Sequence, residues 1–111
     1  MSRKIEQVNE MLRKEIAFII ERELELPGVM VTVVKVDCAR ELDSARVWIS
    51  VLPDNQTGSA LRRLRRQQGS IRYLLAKKVL LRRMPQLIFV FDDTEKKAAE
   101  VESMYHDLTP V

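Results

Sequence analysis

Apolar residues recur three and four apart from the start of the chain: Ile5, Val8, Leu12, Ile16, Ile19, Ile20 and Leu24. That period predicts an amphipathic helix of about five or six turns over residues 3–24, which Pro27 and Gly28 end. Its outer face mixes Lys4, Glu6, Arg13, Lys14, Glu15, Glu21 and Arg22, a pattern suited to solvent rather than to a polyanion. The period then changes to two. Residues 29–38, VMVTVVKVDC, are rich in β-branched side chains and predict a strand. Alternation fails at Val33 and Val34, so either both faces are partly buried or a bulge lies there. A link through Asp43 and Ser44 leads to a second strand, 45–52, where Ala45, Val47, Ile49 and Val51 alternate with Arg46, Trp48 and Ser50. So short a connection predicts an antiparallel hairpin.

After a polar loop, in which Thr57 or Ser59 could cap the next element, helical spacing returns. Leu61, Leu64 and Gln68 form one inward row, and Ile71, Leu74, Leu75 and Val79 form another. Gly69 lies between the rows and costs about 1 kcal/mol against alanine inside a helix. The pattern therefore predicts a helix pair broken at Gly69, with Ser70 capping the second half and Pro85 stopping it. Residues 87–91, LIFVF, are apolar on both faces and predict a central or well-covered third strand. Asp92, Asp93 and Thr94 offer a turn and cap for a last helix over 95–108, with Ala98, Val101, Tyr105 and Leu108 inward.

Charge changes the picture at the broken helix pair. Residues 61–85 hold Arg62, Arg63, Arg65, Arg66, Arg72, Lys77, Lys78, Arg82 and Arg83 and no acid, whereas the whole chain carries only +3. The remainder is thus net negative, and the positive charge is concentrated on one segment, as a polyanion-binding surface requires. Projected at 100° per residue, Arg62, Arg63 and Arg66 point away from the apolar row and Arg65 flanks it. Arg72, Lys77 and Arg83 lie off the second row, and Lys78 and Arg82 fall close to it. A helix start at Gly69 and Ser70 would add backbone N–H donors suited to phosphate; the other reading makes the break a corner and the arginines a solvated face. Trp48 beside Arg46 is either a base-stacking platform or a residue packed at a sheet edge.

The rest of the composition excludes more than it adds. A chain of 111 residues, 46% hydrophobic and 32% charged, suits one globular domain. Its N-terminal MSRKIEQVNE has no signal-like apolar region. No apolar run approaches the roughly 20 residues that span a bilayer. Cys38 and His106 are the only residues of their types, so no internal disulfide, Cys-based metal site or supported Cys/His dyad is expected. Gly28, Gly58 and Gly69 form no nucleotide-binding glycine loop. The carboxylate pairs Asp92–Asp93 and Glu21–Glu25 sit where a cap and a solvated face would put them. The expectation is a cytoplasmic, monomeric binding module without cofactor, metal or catalytic residues.

The order helix–strand–strand–kinked helix–strand–helix resembles that of an α+β, KH-like domain of the second topological type, spanning residues 1–111. Such domains usually carry a GxxG loop that clamps nucleotides, and none occurs in this chain. The variant without it resembles the bacterial ribosome-binding factor A family, which assists small-subunit assembly. The resemblance runs through VTVVKVDCARELDSARVWISVL (31–52) and GSIRYLLAKKVLLRRMPQLIFVFDD (69–93). Its most specific residues are Asp43, Ala45 and Val47, the Gly69-Ser70-Ile71-Arg72 run, and Pro85, Leu87, Phe89 and Asp92. Gln67 departs from the family's Ala-x-Gly signature at the kink, and little chain follows the last predicted helix.

The resemblance implies binding to free 30S subunits and to 16S rRNA around its 5′-end helix and neck, late in maturation. It also implies support for 5′-end processing and for growth in the cold. The residues assigned to RNA are Arg62, Arg63, Arg65, Arg66, Gly69, Ser70, Arg72, Lys77, Lys78, Arg82 and Arg83. Two other readings remain: a generic single-stranded RNA or DNA binder, and a basic helix module that docks an acidic protein.

Overall fold

The computed structural model describes residues 3–93 of the chain. The 3.6-residue period of the N-terminal segment becomes α1 (Arg3–Glu23), which buries Leu12, Ile16, Ile19 and Ile20. A turn follows in which the Val29 N–H donates to the Leu26 carbonyl at 3.1 Å, with Gly28 at φ +73°. Pro27 then Gly28 at the two central positions is the sequence that a type II turn selects, since its third residue needs positive φ.

The strands are β1 (Met30–Cys38) and β2 (Ser44–Leu52), paired antiparallel as the hairpin pattern predicts. Of the two readings of Val33–Val34, the bulge holds: Val33 pairs with Ile49 and Lys35 with Trp48, so Val34 is the extra residue. The bulge resets the alternation, which lets Val33, Val36 and Cys38 all face inward. Burial there, and then the nearby Asp37 carboxylate, push the Cys38 thiol up from its ordinary value. The second strand continues through a 3-10 turn at Asp54–Gln56 into α2 (Thr57–Arg66). No side chain caps α2; the Thr57 hydroxyl instead donates to the Asp54 carbonyl at 2.7 Å.

Two expectations about the helix pair are corrected. The break falls at Gln67, not Gly69: α3 spans Gln68–Lys78, with Gly69 and Ser70 inside its first turn. Gln67 has φ −91° and ψ 5°, yet its N–H still bonds Arg63 O and its own carbonyl still accepts from Ile71 at 3.0 Å. The helical ladder therefore carries through a bend. Nor does α3 run to Pro85. It stops at Lys78, Val79 turns extended (φ −121°, ψ 143°), and Arg82 and Arg83 lie on the loop that follows.

The chain must return because β3 (Gln86–Phe91) runs parallel to β2 and begins where the Gln86 N–H donates to Asp43 O at 3.0 Å. A parallel pair needs a long crossover, and α2 with α3 supplies it. The sheet order β1-β2-β3 makes β2 the central strand and puts β3 at an edge, a correction to the reading of LIFVF as central or well covered. The residues that alternate inward on all three strands meet the helices on one face, with Phe89, Val47 and Ile49 fully enclosed. The last predicted helix, 95–108, lies outside the described residues.

The two glycines should behave oppositely. Gly69 takes no positive φ, and a Cβ there would meet nothing within 4 Å, so Gly69→Ala should stabilise the fold by about 0.5–1 kcal/mol. Gly28→Ala forces a side chain into the left-handed region and should destabilise it by about 1–2 kcal/mol. Urea unfolding midpoints of the two variants check both signs.

Candidate nucleic-acid interface

With Ala60 and Leu64 buried beneath α2, its arginines divide between two sides of the helix. Arg62, Arg65 and Arg66 gather round one shallow hollow. Arg63 turns to the opposite flank, lining a separate hollow with Glu23, Leu24, Glu25 and Gln67. The row round the first hollow is thus Arg62, Arg65 and Arg66; Arg63 is exposed, as the helical projection has it, but on the other flank. Arg62 and Arg66 make no hydrogen bond or ion pair among the described residues, and both are exposed.

The other two arginines of the helix pair have structural partners. Arg65 Nη2 donates to Phe89 O at 3.1 Å. Arg72 is half-buried; its Nε donates to Pro85 O at 3.0 Å and its Nη2 to Met84 O at 2.8 Å. Between them Gln68 Oε1 accepts the Leu87 N–H at 2.9 Å. Residues 65, 68 and 72 fall on one side of a helix, so a single polar stripe holds the outer backbone groups of β3 and the loop leading into it. Sequence reasoning places Gln68 in an apolar row and Arg72 among phosphate ligands. The available signal is that spacing, beside a strand whose outward carbonyls and amides need partners. A guanidinium has five N–H donors, so Arg65 keeps donors for solvent while bound to Phe89.

At the far end of α3 the lysines lie against aromatic rings. Lys77 Nζ is 4.4 Å from the Tyr73 ring centroid and Lys78 Nζ is 4.0 Å from that of Phe18. Arg82 and Arg83 are exposed on the following loop, and Gly69 and Ser70 are exposed on the first turn of α3. Trp48 lies on the central strand rather than at a sheet edge, half-buried on the face away from the helices. Lys35 Nζ lies 4.9 Å from its ring centroid, and its Nε1 is buried without a partner. On α1, Arg13 grips Glu10 through two hydrogen bonds of 2.7 and 2.9 Å, and the bound guanidinium holds that carboxyl below its ordinary value. Among the described residues no group of His, Cys, Asp and Glu could hold a metal ion, and no helix is long and apolar enough to cross a membrane.

The sequence pattern of the ribosome-binding factor A family matches residues 4–105. The chain belongs to that family. Ribosome-binding factor A of Akkermansia muciniphila is 34% identical over 108 residues, covering 97% of this chain and 86% of that protein. The Thioalkalivibrio sulfidiphilus protein of the same name is 35% identical over 103 residues, covering 91% and 80%. The crystal structure of ribosome-binding factor A from Thermus thermophilus matches with a TM-score of 0.72 at 26% identity, over 78% of this chain and 93% of that one. A homology model of the T. thermophilus factor, fitted into a cryo-EM map of a 30S complex, matches with a TM-score of 0.67 at 27% identity, over 76% and 90%. These structures support the KH-like α+β reading of the fold.

The residues that carry the resemblance to ribosome-binding factor A meet one another in this structure. Ala45 pairs with Leu87 and Val47 with Phe89 across the parallel ladder, Asp43 and Asp92 bond its two ends, and Arg72 holds the approach to it. They build the architecture; the exposed arginines stand outside them. Arg72→Lys, which replaces the planar fork by a shorter side chain ending in a compact ammonium, should therefore cost about 1–3 kcal/mol of unfolding free energy. Arg62→Ala should stay within about 0.5 kcal/mol of the parent. Equal urea midpoints for the two variants would contradict the division between anchoring and exposed arginines.

Proposed function

We propose that the chain is a non-enzymatic assembly factor of the small ribosomal subunit: one KH-like RNA-binding domain, working in the cytoplasm. It binds free 30S particles late in maturation. Its RNA target is the 16S rRNA near the 5′-end helix and neck, and its binding supports 5′-end processing and growth in the cold. The observation that carries this reading is the row Arg62, Arg65 and Arg66 on a helix layer, within a 25-residue stretch that holds no acid. A relative of the same fold, fitted into a 30S complex map, supplies the partner.

The mechanism follows from the placement of the charges. Arg62 and Arg66 contact rRNA phosphates with donors that nothing else in the described chain uses. Arg65 joins them with the donors left over from Phe89, which fixes the position of its guanidinium relative to the sheet. Phosphate contacts of this kind position a protein on RNA without reading bases, so selectivity comes from the shape of the folded rRNA. A ligand shifts a conformational equilibrium only through differential affinity. The factor would thus favour the rRNA arrangement whose phosphates match this row.

The test is co-sedimentation with free 30S subunits and with assembled ribosomes across a salt series. The wild-type chain should pellet with free small subunits only, and its affinity should fall with salt by a log–log slope of roughly −2 to −3 for three phosphate contacts. Arg62→Glu/Arg66→Glu should reduce binding at least about tenfold, since each lost contact to a charged group contributes about 1.5–3 kcal/mol, with the unfolding midpoint unchanged. No binding of the wild type at low salt would refute the function. Unchanged binding by the double variant would refute the site.

A further inference from the structure

The basic stretch reaches a second surface around the last turn of α3, where Lys77 and Lys78 each lie over an exposed aromatic ring. Phe18, on α1, is 41% exposed, and Tyr73, on α3, is 63% exposed. Cations stand over both: Lys78 Nζ at 4.0 Å and Arg22 at 5.1 Å over Phe18, and Lys77 Nζ at 4.4 Å over Tyr73. Lys77 and Lys78 are consecutive, so the last turn of α3 sends one ammonium to each ring. Phe18 lies off the buried stripe of Leu12, Ile16, Ile19 and Ile20, and its ring adds nothing to the enclosed core.

On the basis of the RNA reading above, we infer that Phe18 and Tyr73 form a stacking surface for unpaired nucleotides, with Arg22, Lys77 and Lys78 holding the flanking phosphates. The cations lie over the rings in the free chain; a base that takes a ring face releases its ammonium to the neighbouring phosphate, because each nucleotide brings a flat base and an anion together. The α2 row differs in kind: it offers guanidinium groups and no ring. Glu15 and Glu21 also lie within one turn of Phe18 on α1 and oppose a phosphate there, whereas Lys14, Arg22 and Lys78 outnumber them. The surface is continuous with the cationic stretch through α3, and this continuity with an acid-free segment favours a nucleic acid over an acidic protein as its occupant. The chain would then hold structured rRNA by its phosphates on α2 and an adjoining unpaired strand by its bases on α1 and α3.

The test compares two probes by fluorescence anisotropy at fixed salt: a blunt RNA duplex of about 16 base pairs, and the same duplex carrying a single-stranded adenosine tail. The wild type should bind the tailed probe about tenfold more tightly, a factor worth about 1.4 kcal/mol and within the range of one stacked base. Phe18→Leu and Tyr73→Leu keep apolar helix-forming side chains but remove the rings. Each should lose most of the tail-dependent gain while binding the blunt duplex within about twofold of wild type. Lys77→Gln/Lys78→Gln should lower the salt slope on the tailed probe by about 1.4, the value for two single-strand contacts. A wild-type chain that does not distinguish the probes overturns the inference and leaves the α2 assignment standing. So does an undiminished gain in both ring variants, or binding to neither probe; the RNA reading itself stands or falls by the co-sedimentation with 30S subunits.

Discussion

An edge strand must find partners for the backbone groups that face away from the sheet, and in this chain that requirement falls on β3. Its Leu87 amide is taken by Gln68 and its Phe89 carbonyl by Arg65, while Arg72 holds the Met84 and Pro85 carbonyls just before it. The stripe that supplies these bonds crosses the bend at Gln67. The bend therefore has a geometric role: it lets one row of side chains follow a twisted strand farther than either short helix could. Because β3 reaches its place only through the α2–α3 crossover, these bonds also fix where the crossover sits. The exposed arginines of α2 stand on a helix that Arg65 ties to β3, next to an α3 that Gln68 and Arg72 tie to β3 and to the loop before it.

That arrangement resolves an ambiguity inherent in a cationic run. Nine cations without an acid mark a polyanion surface by charge alone, yet charge does not say which cations are free to act. The geometry divides them into Arg62 and Arg66, open to solvent; Arg65 and Arg72, bonded to carbonyls; Lys77 and Lys78, lying over rings; Arg63, set beside the acidic end of α1; and Arg82 and Arg83, exposed on the loop after α3. A guanidinium can serve a carbonyl and a phosphate together because its donors diverge in a plane. The bonded arginines are thus oriented as well as occupied.

Much of the fold was legible because periodicity reports burial directly. The change from a period near 3.6 to a period of two located α1, β1 and β2 to within a residue or two, and the stumble at Val33–Val34 marked the bulge. What misled was local propensity read without the return path of the chain. Gly69 looked like the break since glycine weakens a helix, but the bend fell at Gln67, where the ladder could persist while the stripe changed direction. Residues 79–85 kept helical spacing on paper, yet parallel pairing of β3 with β2 demanded that the chain turn back. An apolar run such as LIFVF cannot tell a central strand from an edge that helices cover. The exposure of Arg62, Arg63 and Arg66 was visible in the helical projection; that Arg63 stands on a different flank from the other two was not. Phe18 gave no signal because its charged neighbours lend that face the look of plain solvent surface.

The bulge at Val34 has a consequence beyond the packing of β1. Two separate devices interrupt the outer side of that strand: the extra residue itself, and Asn9, whose side chain accepts the Cys38 amide at 2.8 Å. On the opposite side of the sheet, Gln68 and Arg65 occupy the corresponding groups of β3. A flat run of open backbone is the template on which sheets of different molecules join and grow. This one offers at most the few residues before Val34. A protein proposed to work among crowded, partly folded ribosomal particles thereby carries, among its described residues, a sheet that stops at three strands.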